Sequence, residues 1–148
     1  MNFTTLVDRL ISDSMMSLPL FSPELAIVVT IVLLLLSRLC NTERFVSGST
    51  VALLGSLAGL TLAGLICYRS FSEKTFEAAP LFTGLLMYDS FTAFFRIFLL
   101  LFLTCVIVLT KLSGIPDRDD APDFYTLLLG STLGMMIMSS ANHLLMVF

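Results

Sequence analysis

Residues 45–68, FVSGSTVALLGSLAGLTLAGLICY, lie between Arg44 and Arg69 and contain no acidic or basic side chain. A helix needs roughly 20 residues to cross the ~30 Å hydrocarbon core of a bilayer. The stretch is therefore long enough to span a membrane as one helix and apolar enough to remain there. It predicts an integral membrane protein.

The composition of the whole chain supports this prediction. Of its 148 residues, 57% are apolar and only 13% are charged, which is too little polar surface to cover a water-soluble globule of this size. The eight Lys and Arg residues are scattered singly and the net charge is −3. We therefore expect the lipid bilayer to be the main solvent, with neither a nucleic-acid partner nor a polybasic surface for lipid headgroups.

Three further apolar segments, 23–40, 90–110 and 124–141, are also long enough to be helices that cross the membrane. Segment 23–40 is bracketed by Glu24 and Arg38, so it spans only if Glu24 lies at the membrane interface and Arg38 extends outward to water. We predict an all-α, polytopic bundle over residues 23–148. It has four spanning helices, and the apolar residues 143–148 form the start of a fifth.

Residues 1–22 do not have the pattern of a secretory signal peptide, because charged residues interrupt their apolar positions. Val7, Leu10, Ile11 and Leu18 fall near one face at helical spacing, which indicates a short helix lying on the membrane surface. A loose terminal tail is the alternative, and the sequence leaves both open.

Basic residues indicate the orientation of the bundle. The loops after the first and third helices carry four of them, whereas the N-terminal tail and the loop after the second helix carry three. Because basic loops are retained on the cytoplasmic side, we predict an N-terminus outside the cytoplasm. The two sets are Arg38, Arg44, Lys111 and Arg118, and Arg9, Arg69 and Lys74.

Small residues recur at four-residue spacing on two of the predicted helices. Gly55, Gly59 and Ala63 form one such row, and Gly130 and Gly134 form another. Rows of this kind let helix backbones approach closely in a membrane. We expect them to pack helices within the bundle, in preference to forming a dedicated dimerisation face.

Three polar positions in the apolar segments are candidate functional residues: Asp89, Arg96 and His143. A charge within a membrane helix is a functional-site hypothesis, and Arg96 could belong to a proton or ion path with Asp89. Arg96 lies only about 10 Å along the helix from Asp89, so an arginine that extends to the interface is favoured. His143, beside Asn142, is either a proton carrier or part of a polar kink.

Other chemistries are not indicated. Cys40, Cys67 and Cys105 are isolated from one another, and His143 is the only histidine, so we expect no metal site, bound cofactor or catalytic group in this chain. The aspartate-rich loop before residue 124 lacks the spacing of a calcium-binding loop. We expect it to be solvated, with Asp123 capping the helix that follows.

Short motifs in the second half of the chain occur in a specific order and spacing. By these motifs the chain resembles the N-terminal region of subunit N of the proton-pumping NADH:quinone oxidoreductases, respiratory complex I. The resemblance covers residues 80–148; upstream only the hydrophobic pattern is similar. The residues that carry it are Phe82, Gly84, Asp89, Phe91, Phe94, Phe95 and Arg96, then Asp123-Phe124-Tyr125, Leu133-Gly134-Met135 and Ser140-Ala141-Asn142.

The resemblance implies an antiporter-like subunit of the membrane arm, in a bacterial inner membrane, with the other membrane subunits of complex I as partners. Such a subunit helps couple quinone reduction to proton translocation, whereas NADH, FMN, iron–sulfur clusters and quinone belong to the rest of the complex. The family's proton-path glutamate and lysines lie on the fifth and later helices. The chain is therefore expected to be an N-terminal fragment that lacks them.

Two other classes of protein remain open at this point. An accessory or scaffold membrane protein needs no ionisable residue in its interior. A small homodimeric transporter needs an acid or a base embedded in the membrane, and the sequence places every acid at an interface or in a loop.

Overall fold

The computed structural model describes residues 18–39, 47–72, 79–81, 86–114 and 121–141. The described residues form four helices and two short strands: α1 (Ser22–Leu39), α2 (Gly48–Ser72), β1 (Ala79–Leu81), β2 (Leu86–Tyr88), α3 (Ser90–Ser113) and α4 (Ala121–Ser140). The predictions of an interfacial helix before residue 18 and of a fifth helix from residue 143 lie outside the described residues. His143 lies outside them as well.

The four helices predicted from the sequence are confirmed, but three of them have an end that differs by three or four residues. α2 is displaced towards the C-terminus relative to the predicted 45–68, α3 ends at Ser113 instead of residue 110, and α4 begins at Ala121 instead of residue 124. In α4, Pro122 occupies the first turn, where amide groups need no carbonyl partner and proline is well tolerated. Asp123 is therefore a first-turn residue and not the cap that we predicted.

The helices run alternately up and down, so the starts of α1 and α3 meet the ends of α2 and α4. At this end Thr92 of α3 donates a hydrogen bond to the carbonyl of Ser139 in α4, at 3.4 Å. At the opposite end the hydroxyls of Thr110 in α3 and Tyr125 in α4 lie 3.4 Å apart. Each end of the bundle is thus joined by polar contacts between helices.

Among the described residues, three helices are long and apolar enough to cross a membrane: Ser22–Leu39, Gly48–Arg69 and Ser90–Ser113. α4 packs against the other three but is outside this set, and its first turn contains Pro122 and Asp123. Three helices of the predicted membrane bundle thus have the length and composition of a span. A fourth span through α4 stays a prediction.

The apolar side chains form a core and also an outer surface. Ile27, Leu100, Ile107 and Leu129 are completely buried where the helices meet. The outward faces of α1 and α3 carry large apolar side chains that are about half exposed. This surface requires an apolar solvent, as an integral membrane protein has. Among those side chains are Val29, Leu33, Leu36, Phe94, Phe98 and Phe102.

The segment between α2 and α3 departs from the all-α prediction. β1 and β2 pair antiparallel, with Ala79 opposite Tyr88 and Leu81 opposite Leu86. Strands of three residues contain too few positions for an alternating pattern to be recognised in the sequence. This small hairpin lies immediately before α3, at the end of the bundle where α3 begins.

Candidate functional site

A buried ion pair joins α1 to α3. Glu24 is the third residue of α1 and Arg96 is the seventh residue of α3. The Nε atom of Arg96 lies 2.6 Å from the Oε1 atom of Glu24, and the two side chains are 2% and 0% exposed. The two charges therefore neutralise each other inside the protein.

Arg96 also holds the chain that precedes α1. Its Nη1 atom donates a hydrogen bond to the backbone carbonyl of Leu20, at 3.1 Å. Leu20 lies in the turn that leads into α1, and this turn is closed by a bond from the Phe21 amide to the Leu18 carbonyl. One guanidinium thus connects three parts of the fold: α3, the first turn of α1 and the turn before it.

The small residues of α2 allow α1 to pack closely against it. A methyl group added at Gly55 would lie 2.6 Å from the Cβ atom of Thr30, and one at Gly59 would lie 3.4 Å from a methyl group of Ile27. Ala63 is on the same row and is 5% exposed. The row that the sequence singled out on α2 therefore faces α1, beside the ion pair.

A narrow cavity lies next to the guanidinium of Arg96. It has a volume of about 10 Å³ and is lined by Pro23, Ala63, Ile66, Ala93 and Arg96, so it lies where α1, α2 and α3 meet. A cavity of this size holds one water molecule at most. The site therefore holds a fixed pair of charges, and it has no room for a larger ligand.

Electrostatics explains why the two residues occur together. On insertion scales a single charged side chain at the centre of a membrane helix costs about 2.5–3.5 kcal/mol. Pairing reduces this cost, because attraction is strong where the dielectric constant is low. Arg96 lies only about 9 Å along α3 from its first residue, so the pair is near one end of the bundle.

Asp89 and Arg96, which the sequence suggested as members of one path, have separate contacts. Asp89 is the N-cap of α3, and its side chain accepts a hydrogen bond from the Thr92 amide at 2.8 Å. Arg96 points instead into the helix interface and pairs with Glu24. Asp89 thus begins the helix, and Arg96 connects it to α1.

One expectation about charges is wrong: Arg96 does not extend outward from the bundle, because its side chain is buried. Glu24 lies in the first turn of α1 and is buried as well, and its position at the membrane interface stays a prediction. The predicted order of the helices is compatible with their pairing, although no local motif marks it. In an up-and-down bundle the starts of the first and third helices lie at the same end, so an acid in one and a base in the other can meet.

A second ion pair connects Arg38, in the last turn of α1, to Asp123 in the first turn of α4. Its side chains are 46% and 53% exposed. Exposed pairs of this kind contribute little to stability, about 0–1 kcal/mol. Arg38 does extend outward, as predicted, and α1 has an ion pair at each end.

Gly130 and Gly134 have no neighbour inside the described bundle. A methyl group added at either position would meet no atom within 4 Å. Both glycines lie on the outward face of α4, unlike Gly55 and Gly59, which face another helix. Among the described residues, moreover, no three His, Cys, Asp or Glu side chains are placed to bind a metal ion.

These features define the class of the protein: an integral membrane helix bundle with an ion pair inside it. Subunit N 2 of the NADH-quinone oxidoreductase of Sorangium cellulosum is 32% identical to this chain, over 92% of the chain and 27% of that subunit. Subunit N of the F(420)H(2) dehydrogenase of Methanosarcina mazei is 33% identical, over 86% and 26%. Chloroplastic NAD(P)H-quinone oxidoreductase subunit 2 of Chlorokybus atmophyticus is 32% identical, over 85% and 24%.

No family model and no solved structure matches the chain. The curated relatives confirm the resemblance found in the sequence and extend it to the first half of the chain. The chain is homologous to subunit N of the NADH-quinone oxidoreductases. It spans about a quarter of the length of the relatives it matches.

Proposed function

We propose that the chain forms part of the membrane arm of a quinone-reducing oxidoreductase of the complex I type, which couples electron transfer to proton translocation. The observation that carries this proposal is the set of relatives, each of which matches 85% or more of the chain. They are named as subunits of an NADH-quinone oxidoreductase, an F(420)H(2) dehydrogenase and an NAD(P)H-quinone oxidoreductase. The apolar outer surface of the bundle supports a position in the membrane.

The relatives also indicate that this part of the subunit does not determine which electron donor the enzyme uses. Their names give NADH, F(420)H(2) and NAD(P)H as electron donors, although their identities to the chain are nearly equal, at 32%, 33% and 32%. We infer that the donor is bound by other subunits, together with the FMN, iron–sulfur clusters and quinone. The role of this chain is then structural support of the proton-translocating arm.

In this proposal Glu24 and Arg96 act as positioning residues. They bury a charged pair at the end of the bundle where α1 and α3 begin, and they hold the turn at Leu20 in place. The rigid bundle that results is a support against which the remaining helices of the subunit can pack. Proton carriers are expected in the part of the subunit that this chain does not cover.

The proposed location is a bacterial inner membrane, with the N-terminus outside the cytoplasm. Leu112 and Tyr68 are 81% and 73% exposed and lie near opposite ends of the bundle. In a variant without native cysteines, we expect a membrane-impermeant maleimide to label Tyr68→Cys in intact cells and Leu112→Cys only after permeabilisation. The reverse pattern would show the opposite orientation.

Purification of the native assembly tests the function. The chain, carrying an affinity tag, is isolated from mildly solubilised membranes of its own organism, and an unrelated tagged membrane protein serves as the control. We expect donor-dependent quinone reductase activity and the other membrane subunits to co-purify with the tagged chain and not with the control protein. A tagged chain recovered free of this activity would favour an accessory membrane protein instead.

A further inference from the structure

The carboxylate of Glu24 can accept more hydrogen bonds than its described contacts supply. Glu24 is 0% exposed, and its Oε1 atom is in contact with the Nε atom of Arg96. Within the described residues, no donor reaches its second oxygen, Oε2, with the geometry of a hydrogen bond. A carboxylate can accept several hydrogen bonds, and leaving a buried oxygen without one is destabilising.

The narrow cavity beside the guanidinium of Arg96 is adjacent to this carboxylate. Pro23, which immediately precedes Glu24, lines the cavity together with Ala63 and Ala93. The cavity volume of about 10 Å³ corresponds to one water molecule. Cavities that stay dry are lined by apolar groups, whereas this one is bordered by a charged group and lies next to another.

The cavity belongs to the buried interior of the bundle. Ala63, Ala93 and Arg96 are 5%, 4% and 2% exposed. The turn before α1 covers part of this region, because Leu20 and Phe21 pack against Ala93. A molecule in the cavity would therefore lie among side chains of the protein and not at the lipid-facing surface.

Electrostatics and size together select the occupant. The guanidinium of Arg96 repels a cation, and the carboxylate of Glu24 repels an anion. A water molecule is neutral and has the size of the cavity. It can accept a hydrogen bond from an N–H group and at the same time donate one to a carboxylate oxygen.

We propose that this cavity binds one ordered water molecule, which accepts a hydrogen bond from the guanidinium of Arg96 and donates one to Oε2 of Glu24. The water completes the hydrogen bonding of the carboxylate and so stabilises the charged form of the pair in the apolar interior. The site belongs to the bundle itself, and this inference is therefore independent of the proposed function.

Two substitutions at Ala63, which lines the cavity, test this proposal in the full chain. Valine and threonine have similar shapes and both displace the water, but only threonine brings a hydroxyl group in its place. We expect the equilibrium constant for unfolding in detergent micelles to be about ten-fold larger for Ala63→Val than for Ala63→Thr, because valine leaves a buried polar group without a partner.

Ala52 provides the matched control. It is 0% exposed and lies on the same face of α2, about three helical turns from Ala63 and away from the buried ion pair. Ala52→Val should be at least as stable as Ala52→Thr, because a buried hydroxyl group gains nothing there. The proposal is refuted if threonine has no advantage over valine at position 63, or if it has the same advantage at position 52.

Solid-state NMR of the chain in lipid vesicles detects the water directly. Polarisation is transferred from water protons to isotopically labelled arginine, and the signals of Arg96 are those absent from the double variant Glu24→Leu with Arg96→Leu. We expect transfer to Arg96 in the wild type and several-fold less in Ala63→Val. Arg38, whose side chain is 46% exposed, should receive equal transfer in both proteins. No transfer to Arg96, or the same transfer in both proteins, overturns the proposal.

Discussion

Arg96 brings a positive charge into the apolar interior of the bundle, and Glu24 supplies the negative charge that balances it. Neither residue is stable there without the other, because a lone charge in a medium of low dielectric constant is strongly disfavoured. The bond from Arg96 to the Leu20 carbonyl adds a second contact to the same end of the bundle. At the scale of single residues, this pair connects α1 to α3.

We expect Arg96→Leu to lower the free energy of unfolding by about 3–5 kcal/mol, since it leaves Glu24 buried without its partner. The double variant Glu24→Leu with Arg96→Leu should be closer to the wild type, because an apolar pair replaces a charged one. The measurement is unfolding of the chain from detergent micelles by a denaturing detergent.

The exposed pair at the other end of α1 provides the control. Asp123→Ala removes the partner of Arg38 and is expected to cost only about 0–1 kcal/mol. If Arg96→Leu and Asp123→Ala are equally mild, the pair of Glu24 and Arg96 is not important for the stability of the bundle.

At the scale of secondary-structure elements, the small residues of α2 control how closely α1 packs against it. Gly55 faces Thr30, whose branched side chain has little freedom to move. We expect Gly55→Ala to destabilise the bundle by about 1–3 kcal/mol, because the two helices must separate to admit the methyl group. The same unfolding measurement detects the change.

Gly64 is on α2 as well but faces open space, so Gly64→Ala is the matched control. It should be neutral or should stabilise the helix by up to about 1 kcal/mol, as alanine favours helices more than glycine. A loss of stability that is the same in both variants would mean that the Gly55 contact does not set the distance between α1 and α2.

The elements themselves were largely predictable. Long apolar segments identify α1, α2 and α3, because the bilayer sets a minimum length for an apolar helix. The start of α4 was missed because the aspartate-rich loop was taken to extend to residue 124, although Pro122 fits the first turn of a helix. The β1–β2 hairpin was missed because its strands contain three residues each.

At the scale of the molecule, the proposed supporting role agrees with the interior of the described bundle. Its interior is apolar apart from the ion pair near one end and a few hydroxyl groups. The cavity of about 10 Å³ beside Arg96 does not extend through the bundle. Continuous proton transfer requires a chain of groups or water molecules across the whole membrane, and this interior does not provide one.

We therefore expect the chain reconstituted alone in liposomes to show no proton flux, either with a quinone and its electron donor or with a sodium gradient. A pH-sensitive dye inside the liposomes is the measurement, and an added protonophore shows that the dye responds. The complete complex in the same lipids should acidify or alkalinise the interior. A clear flux with this chain alone would support a small transporter.

The sequence by itself determined that the protein lies in a membrane, where its main helices run and which family it resembles. These properties depend on composition, segment length and local motifs, all of which can be read along the chain. Only the tertiary structure showed that Glu24 and Arg96 form a pair, that Gly55 and Gly59 face α1, and that Gly130 and Gly134 face outward. The physical reason is that burial and pairing depend on which helix faces are brought together, and residues such as Glu24 and Arg96, 72 positions apart in the sequence, contain no local signal of their contact.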